Sequence, residues 1–404
     1  RGREARDVAN RAQRRDETPR TERAVAPPGE LRLAPGWLAT EVTHTAPWVR
    51  NGLDLHRVMR CVLVAVLPCV LVGVANVGRQ AFLAARAEGL AKIPGWRGET
   101  LGALGLGVTP ESLMGCVAYG LLFAVPMLAV SFGVGWAVER SVSRLRQREP
   151  SEAFPVVALL LVLMLPPTLP LWQVALGITF ALVVGLEIFG GTGRNVVHPV
   201  LVGLAFLYFT YPASFAGGGI WVALPGAEAT TLLGAVAQEG SAAIPALGIG
   251  WRDTLIGWEP GALGETSALA CLLGGAFLVV AGLASGRVIL GGVAGLVAAV
   301  ALANTFGDSA RPLVGLPWHW HLTTGSFAFG LVFVATDPVT SATTAAGRWT
   351  YGVLIGLLVA VVRIFNPAHP EGVLMAILLA NVVAPLLDHA VSWFHVRRRR
   401  RRLG

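Results

Sequence analysis

"LWQVALGITFALVVGLEIFGGTGRNVVHPVLVGLAF", residues 171–206, holds two apolar runs joined by a short polar break. The runs, 171–189 and 196–212, approach the ~20 apolar residues that carry a helix across a hydrocarbon core. Glu187, Arg194, Asn195 and His198 lie in or beside the break. Two spans joined by a tight polar connection is the pattern of a polytopic membrane protein. The break also suggests a phosphate cradle, but "EIFGGTGRN" (187–195) is neither GxGxxG nor a Walker pattern. With no soluble sheet flanking it, nucleotide binding by this stretch alone is not expected.

The rest of the chain repeats the pattern. Of 404 residues, 54% are hydrophobic and 14% charged, with mean hydropathy +0.62. Soluble domains are roughly a quarter charged, so the expected fold class is an all-α polytopic membrane protein. The 49 glycines fit helices whose backbones approach closely. Apolar segments fall at about 58–83, 112–138, 153–166, 171–189, 196–212, 266–284, 287–304, 322–336, 350–365 and 371–394. The third and eighth are short, and both run into proline-bearing breaks.

Charge sets an expected orientation. The net +8 is gathered at the ends, in an Arg-rich segment over 1–32 and in Arg397 to Arg402. These read as basic flanks held on the cytoplasmic side rather than as a nucleic-acid surface. Both ends on one side require an even number of crossings. The connection 139–150 then falls inside with Arg140, Arg144, Arg146 and Arg148, while the long 213–262 loop falls outside with Arg252 as its one arginine. The expected organisation is a basic cytoplasmic arm (1–56), a five-helix half (57–212), an extracytoplasmic loop (213–262), a second five-helix half (263–395) and an Arg-rich tail (396–404).

The halves share a faint pattern. "GGTGRNVVHPVLVGLAF" (190–206) and "VRIFNPAHPEGVLMAIL" (362–378) both place a basic residue, asparagine and proline before an apolar helix. "LPPTLPLW" (165–172) and "ATDPVTSATTAAGRW" (335–349) are likewise polar breaks. Broken helices at matching places in two halves point to a site near the bilayer midplane, and each break alone also reads as a surface loop.

Ionisable groups in or beside apolar runs are costly and therefore candidates for function. They are Glu139, Glu187, Arg194, His198, Asp337, Arg363, Glu371 and Asp388. Glu139 also reads as a partner of Arg140 or Arg144, and Asp337 as a helix cap. As a set they suggest a cation path, since hard cations take carboxylate and carbonyl oxygens. "PWHWHL" (317–322) offers His319 and His321, read as interfacial residues rather than metal ligands. Cys61, Cys69, Cys116 and Cys271 lie in apolar runs without CxxC spacing and read as small buried hydrophobes. "PGAEATTLLGA" (225–235), in the outer loop, places Thr230 and Thr231 beside Glu228.

Several long strings resemble one family. "PPTLPLWQVALGITFALVVGLEIFGGTGRN", "PWHWHL", "GSFAFGLVFVATDPV" and "NPAHPEGVLMAILLANVVAPLLDH" closely resemble the B subunit of the Na⁺-translocating NADH:quinone oxidoreductase. The likeness spans roughly residues 45–395, and the D subunit of Rnf complexes is similar over less of it. The resemblance implies a ten-helix subunit of a six-subunit complex in the bacterial cytoplasmic membrane, with both termini cytoplasmic. It implies electron flow from NADH through flavins to quinone, coupled to Na⁺ movement. It also implies FMN joined by a phosphoester bond to the threonine of an S-G-A-T sequence, which is Thr230 here. Ala227 and Glu228 replace that serine and glycine, and Thr231 falls one place beyond the match. For riboflavin it implies the central breaks, with Thr168, Trp172, Gln173, Asn195 and His198 as contacts. For the ion pathway it implies Glu139, Glu265, Asp337 and Asp388. Where the family has asparagine and arginine, this chain has His198 and Leu204. The altered attachment sequence leaves a second expectation, a transporter- or channel-like scaffold without flavin.

Overall fold

The computed structural model describes residues 55–215, 218–226, 229–308, 311–366 and 371–403. The basic arm up to residue 54, Ala227 and Glu228 of the attachment stretch, and residues 367–370 of the second asparagine–proline break lie outside the described residues. Every regular element among the described residues is helical. In chain order these are α1 (Leu55–Ala87), the short α2 (Trp96–Ala103), α3 (Leu113–Leu145), α4 (Phe154–Leu163) and α5 (Leu171–Leu182) with a π turn, Val183–Glu187. Then come α6 (Pro199–Thr210), three short helices of the long connection, α7 (Leu232–Glu239), α8 (Ala243–Leu247) and α9 (Trp251–Ile256), and α10 (Ala268–Val280). The chain ends with α11 (Gly286–Phe306), α12 (Trp318–Thr323), α13 (Phe327–Phe329) with a π turn, Gly330–Val334, α14 (Ala345–Phe365) and α15 (Val373–Leu403).

All ten apolar segments form helix where expected. Five helices, α1, α3, α11, α14 and α15, are long and apolar enough to cross a membrane, and α4, α5 with its π turn, α6 and α10 are shorter. The eighth segment is broken into α12, α13 and the π turn. The fifth and sixth are shorter than their apolar runs, with 12 and 13 helical residues. Pro199 opens α6, and the Ser267 hydroxyl caps α10 by accepting from the Ala270 amide at 3.1 Å. α4 is hydrophobic on every side and is buried almost throughout, as a helix without a polar face must be.

Contacts between ends fix the sense of each segment. Met59 of α1, Leu278 of α10, Asn195 and Asp337 line one cavity, at the end that also carries the 139–150 connection. We call this the basic end. At the opposite, loop end, the Asn76 amide donates to the Glu259 carbonyl at 2.7 Å. α1 and α10, which open the two halves, therefore run antiparallel, with Cys69 and Cys271 Sγ atoms 3.8 Å apart.

Close backbone approach joins the helices of the second half. A Cβ on Gly356 would sit 2.1 Å from the Gly292 carbonyl oxygen, and one on Gly352 2.3 Å from that of Val288. α11 and α14 therefore meet without intervening side chains, the small-residue packing that serves where lipid supplies no hydrophobic drive. Gly356→Val should force the pair apart and lower stability by on the order of 1–3 kcal/mol. A shift in thermal unfolding midpoint in detergent would measure it, and an unchanged midpoint would contradict the contact.

Candidate functional site

Polar groups gather at both ends of the bundle. At the loop end, α7 starts where the Thr231 hydroxyl accepts from the Gly234 amide at 3.1 Å. Thr231 thus caps the helix, and Thr230, one residue earlier, is half-buried on the wall of a cavity of about 230 Å³. Tyr208, Trp221, Glu259, Glu265 and Glu371 line the same cavity. Pockets that enclose drug-sized ligands run from roughly 300 Å³ upward. The space therefore suits a flat ring or part of a nucleotide, with the remainder outside.

Beneath that cavity lies Arg363, fully buried in the last turn of α14. Its Nη1 donates to the His321 carbonyl at 2.6 Å, Nη2 to that of Thr324 at 3.1 Å, and Nε to that of Glu371 at 3.3 Å. The Glu371 carboxylate accepts from the Ser326 amide at 3.1 Å. Gly325 is required between them. Its φ is +66°, and a Cβ there would stand 2.3 Å from the Glu371 carboxylate. Glu259 Oε2 and Thr266 Oγ1 are buried without a hydrogen-bond partner among the described residues. Burial pushes the Glu259 carboxyl well above its ordinary 4.5, Glu371 reinforces this, and Arg363 opposes it.

At the basic end, Glu139 Oε1 accepts from the Ser151 amide at 2.6 Å, the Ser143 hydroxyl at 3.3 Å and Arg148 Nη2 at 3.3 Å. The partner is thus Arg148, not Arg140 or Arg144. Gln147 at φ 51° folds the chain back, and Arg148 then bridges Glu139 and Glu187. Arg146 adds a contact to Glu187 at 3.5 Å. The glycine-rich break closes over this cluster: a Cβ on Gly191 would meet Arg148 Nη1 at 2.4 Å. The break therefore houses a guanidinium of its own chain.

The other expected contacts divide between the ends. The helix and π turn from Leu171 to Glu187 separate them by roughly 25 Å at 1.5 Å per residue. Thr168, at the loop end, donates to the Ile220 carbonyl at 2.8 Å. Trp172 meets the Tyr211 ring edge-on at 5.2 Å, and Gln173 is buried. Asn195 and His198 line a cavity of about 70 Å³ at the basic end with Thr192 and Asp337. The five residues expected to hold riboflavin therefore do not form one site. The space at Asn195 and His198 is smaller than the roughly 300 Å³ from which pockets for such ligands run.

Of the expected ion-path residues, Glu139 and Asp337 lie at the basic end and Glu265 lines the loop-end cavity. Asp337 accepts from the Thr340 amide at 3.1 Å and its hydroxyl at 3.0 Å. Asp388 is fully engaged. Its oxygens accept from the amides of Thr343 and Thr344 at 2.7 and 2.9 Å, and from their hydroxyls at 2.8 and 2.6 Å. It anchors the start of α14. No group of three or more His, Cys, Asp or Glu among the described residues could hold a metal ion. His321 is buried, and His319 packs against Trp251 and Trp318.

Two residues of these clusters carry little signal in the sequence. Glu259, in "GWEPG", sits in a loop with no periodicity to flag it. Arg148 reads as a topology signal, although Glu139 and Ser143 at helical spacing mark a polar face pointing toward it.

Spanning helices with charged clusters at both ends and broken segments between them define a multi-pass α-helical membrane protein. Residues 42–395 match the NQR2, RnfD, RnfE family, and the chain belongs to it. It is 44% identical over 360 residues to the B subunit of the Na(+)-translocating NADH-quinone reductase of Azotobacter vinelandii, covering 89% of each chain. The protein of the same name from Pseudomonas aeruginosa strain LESB58 is 44% identical over 365 residues, 90% of each. That from Chromohalobacter salexigens is 42% identical over 363 residues, 89% of this chain and 87% of its own.

Both clusters can be probed through stability. Arg148→Met leaves Glu139 and Glu187 facing each other, and loss of one partner of a buried ion pair costs on the order of 3–5 kcal/mol. Chemical unfolding in detergent should show that loss, with partial recovery when Glu187→Gln is added. For Glu259, a raised carboxyl pKa means the folded state holds a proton that the unfolded state releases above 4.5. Its contribution to stability therefore falls as pH rises from that value toward the folded pKa. Glu259→Gln should flatten the decline in melting temperature with rising pH, and a slope identical to the unmodified protein would refute the assignment.

Proposed function

We propose that the chain is the membrane electron-transfer subunit of a sodium-pumping NADH:quinone oxidoreductase, carrying FMN on Thr230 and passing electrons toward quinone as Na⁺ crosses the membrane. The names of its relatives support the complex, and their coverage of about nine-tenths of each chain favours it over an Rnf-type D subunit. One observation carries the flavin assignment: Thr230 lies on a cavity wall directly ahead of the α7 cap. Thr231 is committed to that cap, so Thr230 is the hydroxyl left for a phosphoester.

The chain's own residues would do three things there. The N-terminus of α7 favours negative charge beside Thr230. Tyr208 and Trp221 offer aromatic surface to a flat ring, and the Arg363 lattice of bonds holds the opposite wall. A bound flavin supplies one- and two-electron transfer. Riboflavin would be held at the basic end by Asn195 and His198, with Thr168, Trp172 and Gln173 at the other end of α5, and no electron step is assigned to it. For the ion, Glu139 and Asp337 at the basic end and Glu265 at the loop end would serve as opposite ends of a path, with Asp388 positioning α14.

A scaffold without flavin is the second reading, and the replacement of serine and glycine by Ala227 and Glu228 favours it. Glycine permits close approach of an attaching enzyme, and Glu228 adds negative charge next to a phosphate. Flavin fluorescence on a denaturing gel decides between them, with the flavin-attaching enzyme co-expressed. The band should fluoresce, Thr230→Val should be dark, and Thr231→Val should keep its flavin while losing about 1 kcal/mol of cap stability. A dark unmodified band beside a fluorescent positive control would leave the scaffold reading standing.

A further inference from the structure

A second loop-end cavity, of about 360 Å³, is lined by Arg97 of α2, Phe123 and Met127 of α3, and Thr168, Leu169 and Leu171 around the break before α5. Its volume lies within the roughly 300–1,000 Å³ of pockets that enclose small ligands. The Arg97 guanidinium stacks over the Phe123 ring at 4.0 Å and the Trp96 ring at 4.7 Å. Its Nε donates to the Leu122 carbonyl at 3.3 Å. Among the described residues no carboxylate pairs with it, and its two amino groups make no hydrogen bond. Among the described residues this half-buried cation on a mixed polar and apolar wall has no counter-charge.

The height of the cavity narrows what that counter-charge is. Glu139 and Glu187 meet through Arg148 at the basic end. Measured from there, Leu122 lies about 25 Å up α3 and Leu171 about as far up α5, at 1.5 Å per residue. A hydrocarbon core is about 30 Å thick, so with the Glu139 cluster at one interface the cavity lies at the other. Trp96 and Trp172 stand 57% and 55% exposed at that level, as aromatic residues at a headgroup boundary do.

We propose that this cavity binds an anionic phospholipid, with the phosphate against Arg97 and an acyl chain along Phe123, Met127, Leu169 and Leu171. A planar guanidinium with free amino groups matches phosphate oxygens in a two-pronged fit. The Phe123, Met127, Leu169 and Leu171 side of the cavity gives a chain contacts that a free inorganic anion cannot use. The site is separate from the Thr230 cavity and does not rest on the flavin assignment.

The test is native mass spectrometry of the purified complex after exchange into mixed phosphatidylglycerol and phosphatidylcholine of identical acyl chains. The unmodified protein should retain phosphatidylglycerol preferentially, and high salt should weaken that preference. Arg97→Gln should reduce it about fivefold, while Arg97→Lys, which keeps the charge but not the two-pronged fit, should reduce it less. Arg79→Gln, a cation over Trp258, should leave it unchanged. Melting temperatures of each variant verify folding, and the salt dependence tests the unmodified protein should Arg97→Gln fail to fold. Equal retention of the two lipids, or an undiminished preference in Arg97→Gln, overturns the proposal. Loss of covalent flavin in Arg97→Gln with lipid retained also overturns it, by giving the guanidinium to the flavin phosphate. A cross-link from position 97 to an acidic segment of another protein in the complex does the same.

Discussion

A backbone in hydrocarbon cannot leave its N–H and C=O groups unpaired, and wherever this chain stops being helical another group has to take the place of the missing bonds. Arg363 is the clearest instance. Its three donors go to the carbonyls of His321, Thr324 and Glu371, where the eighth segment and the turn into α15 leave helical geometry. The break after α4 is closed differently: the amides of Leu263 and Gly264 donate to the carbonyls of Leu165 and Leu163 at 3.3 and 2.8 Å. At the basic end a carboxylate fills the role, as Asp388 accepts the amides of Thr343 and Thr344. One guanidinium, one backbone pairing and one carboxylate thus permit three irregular stretches inside the bundle.

Those same repairs place the chemistry. By holding the 321–326 link against Glu371, Arg363 fixes one wall of the cavity that Thr230 faces. The turn at Gln147 carries Arg148 between Glu139 and Glu187, so a connection that reads as a topology signal becomes a partly buried ion network. The two polar regions remain at opposite ends because α5 and its π turn keep a full helical length between them. Thr230 and Glu265 consequently share the loop end of one frame, and Glu139 and Asp337 its basic end.

The order and approximate limits of the ten apolar segments were legible because a span of hydrocarbon length imposes long apolar runs that little else produces, whereas the short helices α2, α7, α8 and α9 were not. The shortness of the third and eighth segments was equally visible in their prolines. Side-chain pairing was not. In "ERSVSRLRQREP" Glu139 and Ser143 mark a polar face, but Arg148 stands apart from Arg140 and Arg144 only once the left-handed turn at Gln147 is known. The contacts expected around riboflavin were drawn from both sides of one helix, because proximity in sequence across a break says nothing about which end of the bundle each residue reaches. Thr230 was placed by resemblance. Its neighbour's role as a cap depends on where α7 begins, and eight helical residues in a polar loop give a weak periodic signal.

The backbone contact of α11 with α14 has a mechanical side. Where side chains interdigitate, two helices can slide from one set of rotamers to another, and that exchange is the usual substrate of a shear motion. At Gly352 and Gly356 there are no rotamers to exchange, only carbonyl against α-carbon. The second half is consequently stiff along this seam, and compliance is left to the capped turns and glycine-rich breaks at its ends. A pump built on such a half would gate at its mouths while its middle stays still.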